Sequence, residues 1–472
     1  MQRERSIPVR ATARDSSSRT VFIVLAAFVV VGFLTVGGAR DDLLSLLLWR
    51  PLSMLFMTLA IAFCWSESKH DGRALLTFAL AVVALPALHL VPLPPAVWSA
   101  LPGRDLIVAI YRDVGMALPW QPLSVAQSRT WNALFSLAAP VGVLVLALTL
   151  DQQWQRKLLL VLLALGFTSG IIGMLQAVGP TNGPLYFYRI TNSGESVGLF
   201  ANRNHQAAFL ASMYPLLAAN LSLFKGKPEQ LFFHRAIAIA AGLLLIPLIL
   251  MTGSRGGLVM GVVGMASARW VYRSPVAKLR SAERKTEYRT RLISFGLVAL
   301  LIFFSIIVAA RTTALSRLLE TDAAGELRFV AFPIVMDAVS RFFPFGSGLG
   351  TFVEVYQIYE PNKLISASYF NHAHNDFAEL LLTAGVPGVL LVVWAAWLWL
   401  KSAGSLVRNR NRETGSDTPG FSAQTMGRAG LSIITMLALY SAADYPLRVP
   451  SLMLLAAIAA VWCSKAFKAA RK

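Results

Sequence analysis

Cysteine and charged residues are both scarce in this sequence. Only two cysteines occur in 472 residues, Cys64 and Cys463, and both lie in apolar segments, so no disulfide framework supports a domain in a polar loop. Charged residues make up 14% of the chain, against about 25% in an ordinary soluble protein. These shortages exclude a soluble enzyme, a disordered chain and a disulfide-stapled secreted module.

Apolar sequence, by contrast, is abundant. Hydrophobic residues make up 56% of the chain, and the mean hydropathy is +0.59. Apolar runs of about 18 residues or more, long enough to cross a bilayer, recur from end to end. The predicted fold class is therefore all-α: a polytopic helical membrane protein with about 12 transmembrane helices. The predicted spans are roughly 21–38, 47–65, 74–91, 132–150, 158–178, 205–223, 236–252, 256–272, 292–310, 377–400, 429–444 and 450–466.

The basic residues predict the orientation of these spans. With the N-terminus in the cytoplasm, 29 of the 43 Lys and Arg residues fall in the inner segments and 13 in the outer ones, although the outer segments are collectively longer. Cytoplasmic loops of membrane proteins carry such an excess. An even number of spans returns the C-terminus to the cytoplasm. The net charge of +19 is therefore read as a topology signal, and no nucleic-acid partner is expected.

The predicted organisation is one membrane domain, residues 21–466, between two cytoplasmic tails, 1–20 and 467–472. The first apolar run is longer than the 7–15 residues of a signal-peptide core, so it is read as an uncleaved anchor.

Two outer loops stand out for their length. Residues 92–131 are rich in proline and tryptophan, which is typical of a segment that lies in the headgroup layer. Residues 311–376 form one large periplasmic loop, in which about 326–341 reads as an interfacial helix that ends before Pro344.

Candidate functional residues gather at helix ends and loops on this one predicted face of the membrane. They are Asn202, Arg203, Asn204, His205, Arg255, Arg328, His372, His374, Asn375, Asp376, Asp444 and Arg448.

The arginines in this set suit an anionic ligand. Arg255 lies in the tight turn Gly253-Ser254-Arg255-Gly256-Gly257, where glycines leave backbone N–H groups free and a following helix adds partial positive charge. A guanidinium there can bind a phosphate bidentately. Arg203 is a second cation for the same anion, and Arg328 a weaker third. Each also has a plainer interpretation: Arg255 as an interface anchor, Arg203 beside helix-capping asparagines, and Arg328 as the partner of Glu326.

The segment His372-Ala373-His374-Asn375-Asp376 admits three interpretations. A neutral histidine is a natural general base for a hydroxyl. The two histidines, with Asp376 and Glu379, could instead ligate a metal, although apart from His205 no further outer histidine or cysteine completes a set. In the third interpretation they only satisfy loop carbonyls. Asn375 or Asp376 is also a plausible N-cap for the helix that follows.

Nucleotide-binding motifs are missing. Gly346-Ser347-Gly348-Leu349-Gly350 is not a dinucleotide fingerprint and follows no strand, and there is no Walker sequence. The inner loops are also too short to form a domain for a sugar nucleotide. If the protein is an enzyme, its activated donor must therefore arrive through the membrane or within it.

In order and spacing, the motifs resemble those of the O-antigen ligase and O-antigen polymerase superfamily, bacterial inner-membrane glycosyltransferases of the GT-C type. The resemblance extends over roughly residues 130–465, and the ending resembles exopolysaccharide-type members. The matching pieces are Gly198-Leu199-Phe200-Ala201-Asn202-Arg203-Asn204-His205, Thr252-Gly253-Ser254-Arg255-Gly256-Gly257, Arg328 with Pro344-Phe345-Gly346-Ser347-Gly348-Leu349-Gly350, His372 to Asp376 with Leu380-Leu381, and Asp444-Tyr445-Pro446-Leu447-Arg448-Val449-Pro450.

The resemblance implies a metal-independent, inverting glycosyltransferase with no cofactor. Its donor would be a polyprenyl-diphosphate-linked oligosaccharide, undecaprenyl diphosphate being the carrier in such bacteria, and its active site would lie on the periplasmic face. Arg203, Arg255 and Arg328 would bind the diphosphate. His374 would accept the proton of the acceptor hydroxyl, with His372 orienting or replacing it. The other polar residues of the set would support them.

Several functions share this donor chemistry. A polymerase would extend surface polysaccharide or exopolysaccharide repeat units, a ligase would attach the glycan to lipid A-core of lipopolysaccharide, and a third kind would glycosylate proteins. The Asp444 to Pro450 ending and the modest 311–376 loop favour the polymerase, for which a flippase and a chain-length regulator are possible partners. A transporter of lipid-linked glycan is a distant alternative, because midspan charges are nearly absent here.

Overall fold

The computed structural model describes residues 9–40, 43–226, 228–274, 323–365, 369–410 and 420–470. In these ranges the chain is almost entirely helical, and its only strands are the paired two-residue segments β1 (Pro92–Leu93) and β2 (Gln121–Pro122). The helical class predicted from the sequence is confirmed. The helices are α1 (Val9–Thr35), α2 (Leu46–His89), α3 (Pro95–Trp98), α4 (Asp105–Asp113), α5 (Gln127–Ser136), α6 (Ala138–Thr149), α7 (Gln152–Val178), α8 (Arg203–Ser222), α9 (Pro228–Leu250), α10 (Arg255–Val271), α11 (Ala323–Phe342), α12 (Phe352–Tyr359), α13 (Asp376–Arg410), α14 (Phe421–Tyr440) and α15 (Pro450–Ala469), with 3₁₀ turns at Asn362–Leu364 and Pro446–Arg448.

Within the described ranges, eight helical segments are long and apolar enough to cross a membrane. They are Ser18–Thr35, Leu46–Lys69, Gly72–His89, Gln127–Thr149, Gln152–Val178, Gln230–Leu250, Asp376–Arg410 and Pro450–Ala469. Each overlaps a predicted span, which makes the chain a multi-pass membrane protein.

The predicted spans 205–223, 256–272 and 429–444 fall on helices α8, α10 and α14, which are not among these eight. The predicted span 292–310 lies outside the described residues. The count of twelve spans, the orientation and the division into domain and tails stay predictions.

Three predicted boundaries were wrong. The expected inner loop 66–73 is helical, because α2 continues through it with a kink at Gly72. The expected outer loop 92–131 ends early, because helix α5 begins at Gln127. The expected span 429–444 is displaced: α14 begins at Phe421 and ends at Tyr440, and the residues after it form a turn that belongs to the candidate site.

Helix α8 lies in the centre of the bundle. Its side chains are buried on every face from His205 to Ser222, and it packs most extensively against α10, with further contacts to α7, α9 and α14. A helix that is buried all round belongs to the interior of its bundle. The N-terminal end of α8, which carries Arg203 and His205, is therefore surrounded by other helices.

The loop that leads into α8 is fixed by two buried glutamines. The Gln176 Oε1 atom accepts hydrogen bonds from the backbone N–H groups of Val197 (3.0 Å) and Gly198 (2.7 Å). The Gln206 side chain is bonded to Ser169, whose hydroxyl oxygen also accepts the N–H of Leu199 at 3.0 Å. Because Gln176 and the Ser169 hydroxyl bind the backbone of residues 197–199, the path of the chain into Arg203 is closely determined.

A kink in α13 receives the glycine-rich segment 346–350. Gly385 interrupts the helix with a φ of 55°, and the carbonyls of Leu382 and Thr383 accept the N–H groups of Ser347 (3.0 Å) and Gly348 (2.9 Å). A Cβ atom on Gly385 would lie 2.0 Å from the carbonyl oxygen of Pro344. The segment therefore anchors the N-terminal part of α13, which carries residues of the candidate site.

We predict that Gly385→Ala destabilises the protein. The positive φ alone costs a residue other than glycine about 1–3 kcal/mol, and the clash with Pro344 adds to this. The measurement is thermal unfolding of the detergent-solubilised protein. Gly404→Ala is the matched control in the same helix, because no atom lies within 4 Å of its Cβ position; it should leave the melting temperature unchanged or raise it slightly. Equal melting temperatures for the two variants would contradict this account of the kink.

Candidate active site

Asparagine side chains begin two of the helices that meet at the site. The Asn202 Oδ1 atom accepts the N–H of Asn204 at 2.8 Å and caps α8. The Asn375 Oδ1 atom accepts the N–H groups of Phe377 and Ala378, each at 3.0 Å, and caps α13. Of the two N-cap residues considered from the sequence, Asn375 therefore takes this place, and Asp376 is the first helical residue.

The buried carboxylate of Asp444 contacts a residue beside each of the two caps. Asp444 is fully buried in the turn after α14, and its Oδ1 atom lies 3.2 Å from Nδ1 of His374. Its Oδ2 atom accepts a hydrogen bond of 2.6 Å from the Asn204 side chain. His374 has a φ of 50°, which is uncommon for a residue other than glycine. Three pieces that are far apart in the sequence thus meet at one carboxylate.

The surroundings favour an ionised Asp444 beside a neutral His374. Burial opposes ionisation of Asp444, but the hydrogen bond with His374 and the nearby positive charge of Arg328 hold its pKa well below the usual range. Burial lowers the pKa of His374 below 6.5; Asp444 opposes this shift, and Arg328 and His372 add to it. Because an ionised carboxylate only accepts hydrogen bonds, the Nδ1 atom of His374 carries the hydrogen and Nε2 keeps its lone pair.

His372 has a carboxylate partner of its own. Its Nδ1 atom lies 3.1 Å from Oε1 of Glu379, one of the buried carboxylates of α13. Arg448 binds Oε1 of Glu379 through Nη1 and Oδ1 of Asp376 through Nε, both at 3.0 Å. Asp376 also accepts the hydroxyl of Ser441 at 2.9 Å. Asp376 and Arg448 thus support His372, as Asn204 and Asp444 support His374.

A tyrosine ring lies among the three histidines. The centroid of Tyr445 is 4.4 Å from that of His372, 4.8 Å from His374 and 5.0 Å from His205. The Tyr445 side chain forms hydrogen bonds with Asn202 and Asn371. His205 is buried, and neither of its ring nitrogens has a hydrogen-bond partner among the described residues. Tyr445 therefore contacts both histidines of the 372–374 segment as well as His205.

The three predicted arginines differ in how they relate to the histidines. Nη1 of Arg203 is 2.9 Å from Oε2 of Glu195, a carboxylate that the sequence analysis did not single out. Arg328 acts electrostatically on both His374 and Asp444, and its buried Nε has no hydrogen-bond partner in the described part of the chain. The alternative pairing of Arg328 with Glu326 lies outside the described side chains.

Arg255 is the most exposed of the three. It begins α10, and the preceding residue, Ser254, caps the helix by accepting the N–H of Gly257 at 3.0 Å. The hydroxyl of Ser254 lies 3.3 Å from that of Tyr440, whose carbonyl accepts the N–H of Asp444. The arginine turn is thus connected to the Asp444 turn.

A family model described as O-Antigen ligase matches residues 240–393 of this chain. The resemblance to the O-antigen ligase and polymerase superfamily is confirmed. The matched third of the chain contains Arg255, Arg328, His372 and His374, whereas Arg203 and Asp444 lie outside it. No curated protein matches the chain significantly.

The superfamily match indicates an activity of O-antigen ligase or polymerase type, with a lipid-linked glycan and an acceptor as substrates in general. The residues that the structure brings together fit a site of this kind, because two histidines with carboxylate partners lie beside a group of arginines. Among the described residues, no group of three or more His, Cys, Asp and Glu side chains is arranged to hold a metal ion.

Three residues of the site went unassigned from the sequence. Glu195 and Tyr445 carried no periodic or spacing signal that ties them to the histidines, because their contacts depend on the loop before α8 and the turn after α14. Glu379 was considered only as a metal ligand. Its place one helical turn after Asn375, facing the same side, was the available signal for a histidine partner.

We predict a pH-dependent loss of stability that depends on His374. Its pKa is lower in the folded protein than in the unfolded chain, so below about pH 6.5 the unfolded state binds a proton that the folded state does not. The melting temperature of the wild type should therefore fall as the pH is lowered from 7 to 5. In His374→Gln the fall should be smaller. His234→Gln, which changes an exposed histidine of α9, should keep the wild-type slope, and the same slope in His374→Gln would contradict the shifted pKa.

Proposed function

We propose that this protein is a periplasmic-face glycosyltransferase of the bacterial inner membrane. It transfers a polyprenyl-diphosphate-linked oligosaccharide onto an acceptor glycan, and polymerises surface or exopolysaccharide repeat units. The observation that carries the proposal is the pairing of His374 with the buried Asp444 beside Arg328, at residues of the superfamily motifs. A histidine oriented by a buried carboxylate can accept a proton, and an adjacent arginine can stabilise an anionic leaving group.

On the donor side, the arginines bind the diphosphate. As the bond between the anomeric carbon and the diphosphate oxygen breaks, its electron pair stays on that oxygen and negative charge grows there. Cations that are already in position stabilise this charge more in the transition state than in the ground state. Arg255 and Arg328 provide most of this charge. Arg203 is held by Glu195 and adds its positive charge.

On the acceptor side, His374 is the general base. The acceptor oxygen forms its bond to the anomeric carbon while its proton passes to Nε2 of His374. Attack opposite the leaving diphosphate inverts the anomeric centre, and no step needs a metal ion. The left-handed backbone of His374 supports this role, since strained residues cluster at active sites. His372, paired with Glu379, orients the acceptor or replaces His374 as base.

The second candidate is an O-antigen ligase, which the description of the matching family model favours. In that case the same donor chemistry would deliver a finished chain to lipid A-core, or to a protein. The ending from Asp444 to Pro450 supports the polymerase. A polymerase of this kind would work with a flippase that delivers its donor and with a chain-length regulator.

The proposal is tested by incubating the purified protein with polyprenyl-diphosphate oligosaccharide from its host, in the presence of EDTA, and separating the products on a gel. We expect a regular ladder from the wild type. Arg255→Ala and His374→Ala should lose it, because removing one such group typically lowers the rate about 10²–10³-fold. A donor that stays intact until lipid A-core or a protein is supplied, and is then consumed in one step, identifies a ligase.

Two matched controls accompany this experiment. Arg269→Ala removes an exposed arginine from the opposite end of the same helix as Arg255, and His234→Ala removes an exposed histidine. Both should keep the ladder. If it survives equally in Arg255→Ala and His374→Ala, the function stands and the residue assignment is wrong. The absence of any transfer with any acceptor would overturn the function itself.

We also predict the effect of Asp444→Asn on the pH–rate profile. The acid limb of the wild-type profile should lie below pH 6.5, because burial lowers the pKa of His374. Asp444 raises the pKa of His374, so its replacement should move the acid limb of the profile to lower pH. The maximal rate should fall by about 10²–10⁴-fold, because the amide no longer enforces the productive tautomer. A lower rate with an unmoved acid limb would mean that Asp444 does not act through His374.

A further inference from the structure

Two buried hydroxyl groups, those of Ser254 and Tyr440, lie beside the arginine turn and have no role in the proposed mechanism. Ser254 comes directly before Arg255, and Tyr440 is the last residue of α14. The two residues are 2% and 3% exposed. Their hydroxyl oxygens are 3.3 Å apart, which is longer than the usual distance of about 2.7–2.8 Å between bonded hydroxyls. The contact between them is therefore weak.

This pair of hydroxyls carries one hydrogen more than its contacts use. Each hydroxyl has one hydrogen to donate, and the contact between the two oxygens uses one of them. The Ser254 oxygen also accepts a hydrogen bond of 3.0 Å from Gly257, but that bond uses a backbone hydrogen. No residue in the described part of the chain accepts the second hydroxyl hydrogen. A buried donor without an acceptor costs free energy, so an acceptor on a ligand is expected here.

Tyr440 is the member of the pair that is placed to donate to a ligand. The Ser254 oxygen already accepts the cap hydrogen bond of α10, and its own hydrogen can point to the Tyr440 oxygen. A phenol is also a stronger acid than an aliphatic alcohol, and is therefore the better donor to an anion. The Tyr440 ring lies against the first turn of α10, since a Cβ atom on Gly256 would be 2.6 Å from its Cε2 atom and 3.3 Å from its hydroxyl.

The surroundings of Tyr440 favour an anionic ligand. Arg203 and Arg328 both act electrostatically on its side chain, against one carboxylate, Asp444. That carboxylate is already engaged by the side chains at the beginnings of α8 and α13. The N-terminal end of α10 adds partial positive charge. A phosphate oxygen matches these charges, whereas the hydroxyl of a neutral sugar does not use them.

We propose that the Tyr440 hydroxyl donates a hydrogen bond to a phosphate oxygen of the lipid diphosphate, while the Ser254 hydroxyl donates to Tyr440. Resting on the proposed function, this makes Tyr440 a further residue of the donor site. In a chain of two hydroxyls each hydrogen bond polarises the next, which strengthens the bond to the anion. As the leaving diphosphate gains negative charge, this bond stabilises the transition state together with the arginines.

The test is equilibrium binding of two probes, radiolabelled farnesyl diphosphate and inorganic pyrophosphate, to the purified full-length protein. Tyr440→Phe removes only the hydroxyl oxygen. It should raise the dissociation constants of both probes about tenfold or more, the effect of losing one hydrogen bond to a charged group. The same factor for both probes would mean that the hydroxyl binds the diphosphate and not the lipid chain. The melting temperature without ligand should not fall, because the lost contact of 3.3 Å is weak.

Two further variants serve as controls. Tyr214→Phe changes a buried tyrosine of α8 that packs against Gly264, also on α10, and it should bind both probes as the wild type does. Ser254→Ala keeps the Tyr440 hydroxyl but removes the cap of α10. It should therefore lose more thermal stability than Tyr440→Phe, and less affinity for the probes.

The results distinguish a failure of this contact from a failure of the proposed function. Wild-type affinity in Tyr440→Phe, with binding lost in Arg255→Ala, would overturn the hydroxyl contact and leave the donor site intact. Weaker binding of farnesyl diphosphate alone, with pyrophosphate unaffected, would also overturn it, as would equal losses in Tyr440→Phe and Tyr214→Phe. If neither probe binds the wild type, the proposed donor chemistry and the hydroxyl contact are both wrong.

Discussion

The site depends on the burial of a charge. Asp444 is a carboxylate with no exposed surface, and such a group is costly unless positive charge and hydrogen-bond donors surround it. It obtains them from the beginning of α8, through Asn204, and from the beginning of α13, through His374. The hydrogen bonds that stabilise the buried charge of Asp444 are therefore the same ones that bring the candidate site together. They hold the turn after α14 against the beginnings of α8 and α13.

The glycines serve this arrangement by allowing close backbone approach. At Gly385 the helix opens and its carbonyls bind the segment 346–350, which fixes the N-terminal part of α13. At Gly198 a positive φ lets the chain pass close to Ser169 and Gln206 before α8 begins. Both positions lie away from the histidines. They position the beginnings of α13 and α8, and thereby the side chains of His372, His374 and Arg203. The geometry of the candidate site therefore depends on these close backbone approaches.

Local sequence pattern was sufficient to predict most helices and the candidate residues, but it was insufficient to predict which residues contact one another. Long apolar runs predicted the helices because hydrophobic length is a property of contiguous residues. A helix before Pro344, predicted at about 326–341, is observed at Ala323–Phe342. The histidines, arginines and Asp444 were predicted as one set because their motifs share a face.

The hydrogen-bond and ion-pair partners of these residues could not be predicted from local sequence pattern. The pairing of His374 with Asp444 joins residues 70 positions apart, and Arg203 meets Glu195 through a loop with no periodic pattern. Contacts of this kind form only when the helices pack together in the folded chain.

The position of Tyr445 has a consequence for how protons move. Its ring contacts both imidazoles of the 372–374 segment, and its hydroxyl is directed to Asn202 and Asn371. The exchangeable proton of Tyr445 is on that hydroxyl, so the face of the ring gives the imidazoles no path for exchanging a proton. A positive charge on His372 also lowers the pKa of His374. In the proposed mechanism the two histidines would therefore accept protons one at a time.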